Sequence, residues 1–276
     1  MEHLFVSENY ENNSNILYIR ENLCGLVYKG VKEKVSADRN RVGLSFNVEE
    51  DLYKFIGDDL ADKISDVIAI AYKYRFFENR IKTPALSKRQ RELLLTSLIS
   101  ADILDDKKYI RAKFKDCKQI AIDGFFNFRM ANLKRKWEEI CAFIPEFFSE
   151  RELKEFIVYL INEKKGKKVI VDGDKVFDRR GNRLRKCVLL PSDEYLVVKE
   201  LLLCGASEIE VKNMPNSEEE IDYIKILFGD KILFKSGENL WQIYKKWIII
   251  VITYFSLGQV VPNICTQRAG LAENPL

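Results

Sequence analysis

The sequence predicts an α+β fold, and three observations predict it. Short alternating strands around turn residues occupy the first 47 positions, long runs of apolar residues at helical spacing fill the middle, and strand and helix patterns alternate again towards the end. The expected division is a small βαββ module over residues 1–47, a helical domain over 48–165, an α/β module over 166–240 and an apolar tail over 241–276.

The N-terminal module starts with a short strand at Leu4–Val6. Ser14 can cap a helix from Asn15 to Gly30, with Ile16, Leu17, Ile19, Leu23, Leu26 and Val27 on its apolar face. Val31–Ala37 and Arg41–Asn47 then read as a hairpin around Asp38-Arg39-Asn40. A helix over Val48–Arg80 follows, with Asn47 as its cap and Glu49, Glu50 and Asp51 set against the helix dipole. After a break at Pro84, Ser87 caps the next helix. Further helices are expected over Gly124–Phe143 and from Ser149 onward. Lys168–Val171 and Lys175–Asp178 flank the turn Asp172-Gly173. The remaining expectations are helices over Ser192–Cys204 and Ser217–Phe228, and strands at Glu208–Lys212 and Lys231–Phe234.

An apolar fraction of 47% over 276 residues is ample for a sizeable core. The net charge of +3 argues little by itself, but its distribution is uneven. Between Arg80 and Lys136 stand fifteen lysines and arginines against six carboxylates, so the rest of the chain is acidic. A basic middle can meet a phosphate backbone or an anionic surface; the plainer reading is a solvated, charge-rich helical face.

Chemistry-bearing motifs are sparse. The one histidine, His3, lies at a chain end that reads as mobile, which argues against histidine triads, Cys-His pairs and H-E-x-x-H zinc chemistry. The six cysteines are widely and irregularly spaced, with no C-x-x-C pair. The first residues lack a basic region followed by an apolar run, so a reducing cytoplasm is expected. Carboxylate pairs such as Asp58-Asp59 and Asp105-Asp106 read as solvated helix turns. Asp172, Asp174 and Asp178 flank a glycine turn without EF-hand spacing, so no metal and no cofactor is assigned. No catalytic residue is assigned either; the leading reading is non-enzymatic, and an enzyme with a metal bound by Asp172, Asp174 and Asp178 is the third alternative.

One aromatic-basic block stands out, Ile122-Asp123-Gly124-Phe125-Phe126-Asn127-Phe128-Arg129, leading into Lys134-Arg135-Lys136-Trp137. At helical spacing Phe125, Phe128, Leu133, Trp137, Ile140 and Cys141 share a face and read as core. Phe126, Asn127 and Arg129 fall outside it and, with Lys134, Arg135 and Lys136, form the candidate interaction surface, able to stack on bases and hold phosphates. The tail is the other unusual feature. Residues 247–264 carry no charge and follow Lys245-Lys246, the arrangement of a tail anchor, although Gly258, Gln259, Pro262 and Asn263 weaken its second half. A cytoplasmic protein and one anchored in the cytoplasmic membrane by this tail are both open.

The same aromatic block, with Trp137-Glu138-Glu139-Ile140, Phe147-Phe148-Ser149-Glu150, Val171–Asp178, Gly181-Asn182 and Phe228-Gly229-Asp230, resembles the YtxC-like sporulation proteins of endospore-forming bacteria over residues 15 to 240. That resemblance implies a cytoplasmic, sporulation-associated protein acting through an unidentified protein partner, and it carries over no catalytic residue. Nucleic-acid binding through the basic helical middle is the alternative, and a small-molecule substrate is not indicated. The chain departs from the family after Leu240: where the family has a cysteine-bearing tail, Lys235–Trp241 has no cysteine and an apolar extension follows. A shifted frame or a lineage-specific anchor could each produce that.

Overall fold

The computed structural model describes residues 2–23, 31–114, 118–162 and 166–234. Residues 1–233 make one compact unit of mixed α+β architecture, with two small sheets and nine α-helices among the described residues. The expected tail at 247–264, its proposed anchor, and Leu26 and Val27 of the first helix lie outside the described residues.

The first sheet has the order β2-β3-β1-β4. Strand β1 (Glu2–Asn9) is longer than the three residues expected and pairs antiparallel with β3 (Arg41–Val48), Leu4 opposite Phe46 and Val6 opposite Leu44. Lying between two strands, β1 buries Leu4, Val6, Ser7 and Glu8. His3 therefore sits in an ordered strand opposite Asn47, with its side chain exposed, rather than on a mobile end. The hairpin to β2 (Val31–Ala37) is as expected. Its turn is closed by Asp38, whose Oδ1 accepts the amide N–H of Asn40 (2.8 Å) and of Arg41 (2.7 Å). β2 is an outer strand whose exposed Lys32, Glu33 and Lys34 guard its edge. The fourth strand, β4 (Gln119–Ala121), comes from the middle of the chain and runs parallel to β1. The N-terminal module thus depends on a strand more than seventy residues beyond its expected boundary.

Helix α1 (Asn13–Asn22) starts two residues earlier than expected, after a single 3-10 turn, so Ser14 lies inside it rather than capping it. The expected helix from Val48 begins only at Glu50, because Val48 and Asn47 belong to β3. It also divides. Helix α2 (Glu50–Val67) passes through a π-turn at Ile68–Tyr72 into α3 (Lys73–Arg80). Helix α4 (Lys88–Ala112) opens with a full capping box: Ser87 Oγ accepts from the Gln90 amide, and Gln90 Oε1 accepts from that of Ser87. It kinks at Asp102, where φ is −133° and ψ 20°.

The expected helix from Gly124 to Phe143 is two helices, α5 (Ile122–Arg129) and α6 (Ala131–Ala142), separated at Met130 (φ −107°, ψ 25°). Helix α7 (Glu150–Asn162) begins at the Ser149–Glu152 reciprocal cap. The second sheet, β7-β6-β5-β8-β9, holds the predicted hairpin β5 (Lys167–Asp172) and β6 (Lys175–Asp178), turned at Gly173 (φ +59°). Strand β7 (Arg183–Leu184) follows, and β8 (Ala206–Asn213) runs parallel to β5. Helix α8 (Leu196–Cys204) is shorter than expected, because Tyr195 takes a left-handed conformation (φ 52°) and fixes its start. Its first amides, of Val197 and Val198, donate to Glu220 Oε1 of α9 (Glu218–Phe228), so the cap comes from another helix. Strand β9 (Ile232–Phe234) closes the sheet. Both sheets and the helices contribute to a single apolar core running from Leu4 to Phe228.

Candidate interaction surface

The aromatic block is a structural joint first. Asp123, at the start of α5, accepts two hydrogen bonds from the Arg41 guanidinium (2.8 and 3.1 Å), and Arg41 also donates to Ser7. This fork ties α5 to the first sheet, and the Arg41 bonds hold the Asp123 carboxyl below its ordinary range. Gln119 and Ile120 of β4 precede it directly, so Ile120-Ala121-Ile122-Asp123 carries the chain from edge strand to helix.

The break at Met130 then rotates α6 relative to α5, and the expected helical face does not survive it. Phe126 was expected at the surface, but it is buried, its ring stacked on Trp137 at 5.8 Å and tilted against Tyr72 at 4.7 Å. Phe128 was expected in the core, but its ring is 88% exposed. Continuous helical spacing across residues 124–143 cannot hold once a non-helical residue interrupts it. Phe125 keeps its expected core position, stacked on Phe114 at 4.4 Å.

The six predicted surface residues therefore separate. Asn127, Arg129 and Arg135 are exposed. Lys134 is half-buried, with its ammonium 5.2 Å from the Phe126 ring and donating to the Asn127 carbonyl (3.1 Å). Phe126 points inward. Lys136 reaches into a buried charge cluster and is unavailable as a free surface cation.

In that cluster Lys73, fully buried at the start of α3, pairs with Asp102 and Asp106 of α4, the latter at 2.7 Å. Lys136 binds the same two carboxylates at 2.6 and 2.8 Å, and the Trp137 indole N–H donates to Asp106 (2.9 Å). Lys73 also lies over the Trp137 ring at 5.5 Å. Two cations meet two anions, so the buried charges cancel and almost every oxygen has a donor. Burial opposes ionisation of Asp102, but Lys73 and Lys136 outweigh it and hold that carboxyl below its ordinary range. Asp102 and Asp106 raise Lys136 in the same way against its burial. The two helix distortions border this cluster: the π-turn ends at Lys73, and α4 kinks at Asp102.

The Asp105-Asp106 pair was expected to be solvated, and Asp106 is fully buried. The signal was present: Lys73 lies at helical spacing between Ile70 and Phe77, and Asp106 between Ile103 and Ile110, all four of them buried. For Phe128 no comparable signal exists, because nothing in the sequence marks Met130 as a break. Of the hairpin carboxylates, Asp172 accepts from Asn213 (2.6 Å), Asp174 from Asn216 (2.8 Å) and Asp178 from the amides of Arg180 and Asn182. Among the described residues no group of three histidine, cysteine or acidic side chains is placed to hold a metal ion.

No protein-family model, no curated protein and no solved structure matches the chain.

Much of the basic surplus between Arg80 and Lys136 is committed within the fold. Arg89 binds Glu194 and Glu219, Lys107 binds Asp66, Arg111 binds Asp62, and Lys118 binds Glu2. Each of these carboxylates comes from outside the basic segment. Beside the exposed Asn127, Arg129 and Arg135, the aromatic block also leaves an apolar group uncovered: Phe128 borders a hollow of about 230 Å³ with Gly124, Phe125, Gln119 and Arg129. Phe143 and Phe147, both in the α6–α7 connection, are 85% and 70% exposed. Among the described residues no helix is long and apolar enough to cross a membrane.

Proposed function

We propose that this protein is a non-enzymatic, sporulation-associated factor of the cytoplasm that acts by binding a protein partner through the surface around Phe128 and Arg129. One observation carries the reading. A phenylalanine ring held 88% in water beside an apolar hollow has a standing incentive to be covered, and an arginine next to it can orient the covering chain. The sporulation setting rests on the aromatic block and hairpin residues that resemble the YtxC-like proteins. Within that block Asp123, Phe125 and Phe126 build the joint, while Phe128 keeps its ring in water, which favours it as the contact.

The test is deletion of the gene in an endospore-forming host, followed by complementation. Heat-resistant spores should be lost on deletion, return with the wild-type chain, and stay low with Phe128→Ser/Arg129→Glu accumulated to the same level. A normal spore count after deletion removes the sporulation reading. Full rescue by the double variant removes the surface.

A further inference from the structure

A separate feature lies on the other side of α4 from the charge cluster's lysines. A cleft of about 890 Å³ is bordered by α1, α2, α4 and the stretch from Asn182 to Lys186. Its described lining holds eight lysines and arginines against three carboxylates, a surplus of five positive charges. All three carboxylates are already covered. Asp66 accepts from Lys107 (2.7 Å) and the Tyr18 hydroxyl (3.2 Å), Asp62 from Lys107 and Arg111 (3.1 and 3.2 Å), and Glu21 from Arg185 (2.9 Å). Of the other lining cations, Lys63 lies 3.8 and 3.6 Å from Asp59 and Asp62, and Lys186 lies 3.6 Å from Asp66. Lys108, Lys167 and Arg183 are exposed on the lining and have no carboxylate partner among the described residues. In addition, Arg185 Nε is buried with no hydrogen-bond acceptor. A buried donor left without a partner is costly.

We propose that this cleft binds a small organic polyphosphate, of the nucleoside-polyphosphate class. Three uncommitted cations supply what a cluster of phosphate oxygens requires, with Arg183 able to grip two oxygens at once. The volume lies in the range of small-molecule sites. Concave walls with a net positive surplus focus the field on a compact anion. Leu23, Leu104 and Leu184 add apolar area beside the cations, Leu104 being 68% exposed, and this suits the organic part of such a ligand. A nucleic-acid strand is the less suitable occupant, because the cations converge from four segments on one hollow instead of following a track.

The experiment is calorimetric titration of the full chain at low ionic strength with ATP, with sodium tripolyphosphate and with oligothymidylate. ATP and tripolyphosphate should bind. Lys108→Glu/Arg183→Glu should weaken both roughly tenfold or more without changing the melting temperature of the unliganded protein. Lys167→Glu, on a different segment, should weaken them as well. Absence of binding by both phosphate probes overturns the proposal, as does unchanged affinity in the variants. Oligothymidylate that binds and is not displaced by ATP overturns it in favour of nucleic acid.

Discussion

Single residues carry the strongest energetic statements. Lys73 reaches both Asp102 and Asp106 from inside the core. In Lys73→Met the two carboxylates keep only Lys136 and the Trp137 N–H, so the substitution should cost about 3–5 kcal/mol, measured as a lowered urea midpoint. Glu200 poses the opposite problem. Its Oε2 accepts the Cys187 amide (2.7 Å), while Oε1 is buried without a partner, and burial raises the carboxyl above its ordinary range against the pull of the nearby amides. A carboxyl raised in the folded state opposes folding once pH climbs through that raised value, and ceases to do so as pH falls towards the unfolded value near 4.3. Glu200→Gln should therefore stabilise the protein by about 1 kcal/mol at neutral or alkaline pH. Thermal melts across pH should show that gain shrinking on acidification; a gain that grows in acid would contradict the assignment.

At the scale of elements, local chemistry and packing divide the work. Helix α4 has its start written in its own residues, Ser87 and Gln90, and Ser87→Ala should cost about 1 kcal/mol in a denaturant titration. Helix α8 has no such cap. Tyr195 turns left-handed before it, and Glu220 from α9 supplies the acceptor, so no inspection of residues 192–204 could place that start. The hairpins were legible because Asp38 and the pair Asp172-Gly173 close their turns within a few residues. The α5–α6 break was not. Met130 has no helix-breaking chemistry of its own, and the break serves the burial of Phe126 and Trp137 against Tyr72 and Phe76. That is why the surface residue of the block is Phe128 and not Phe126.

At the scale of the whole molecule, β4 decides the organisation. It brings residues 119–121 beside β1, and Val6, Leu44 and Phe46 of the first sheet belong to the same core as Ile64, Ile99 and Trp137. A chain beginning at residue 48 would lose three of the four strands of that sheet and expose the helices packed on it. It should show no cooperative melt and few dispersed amide resonances; a sharp transition in that fragment would mean that the helical region is an independent domain. The basic segment changes meaning at this scale too. Its surplus of charge meets carboxylates contributed by distant elements, such as Glu2 to Lys118 and Glu194 to Arg89.

By itself the sequence determined the α+β class, the hairpins at Asp38 and Gly173, the capped start of α4 and most of the core. Those features depend on neighbours a few residues apart, whose spacing is written in the chain. Only the tertiary structure decided the parallel β4 pairing, the inward turn of Phe126, the burial of Lys73 with Asp106, and the meeting of Lys108, Lys167 and Arg183 on one cleft. Each of these joins residues dozens of positions apart, and their proximity is set by how the core closes, which no local period records.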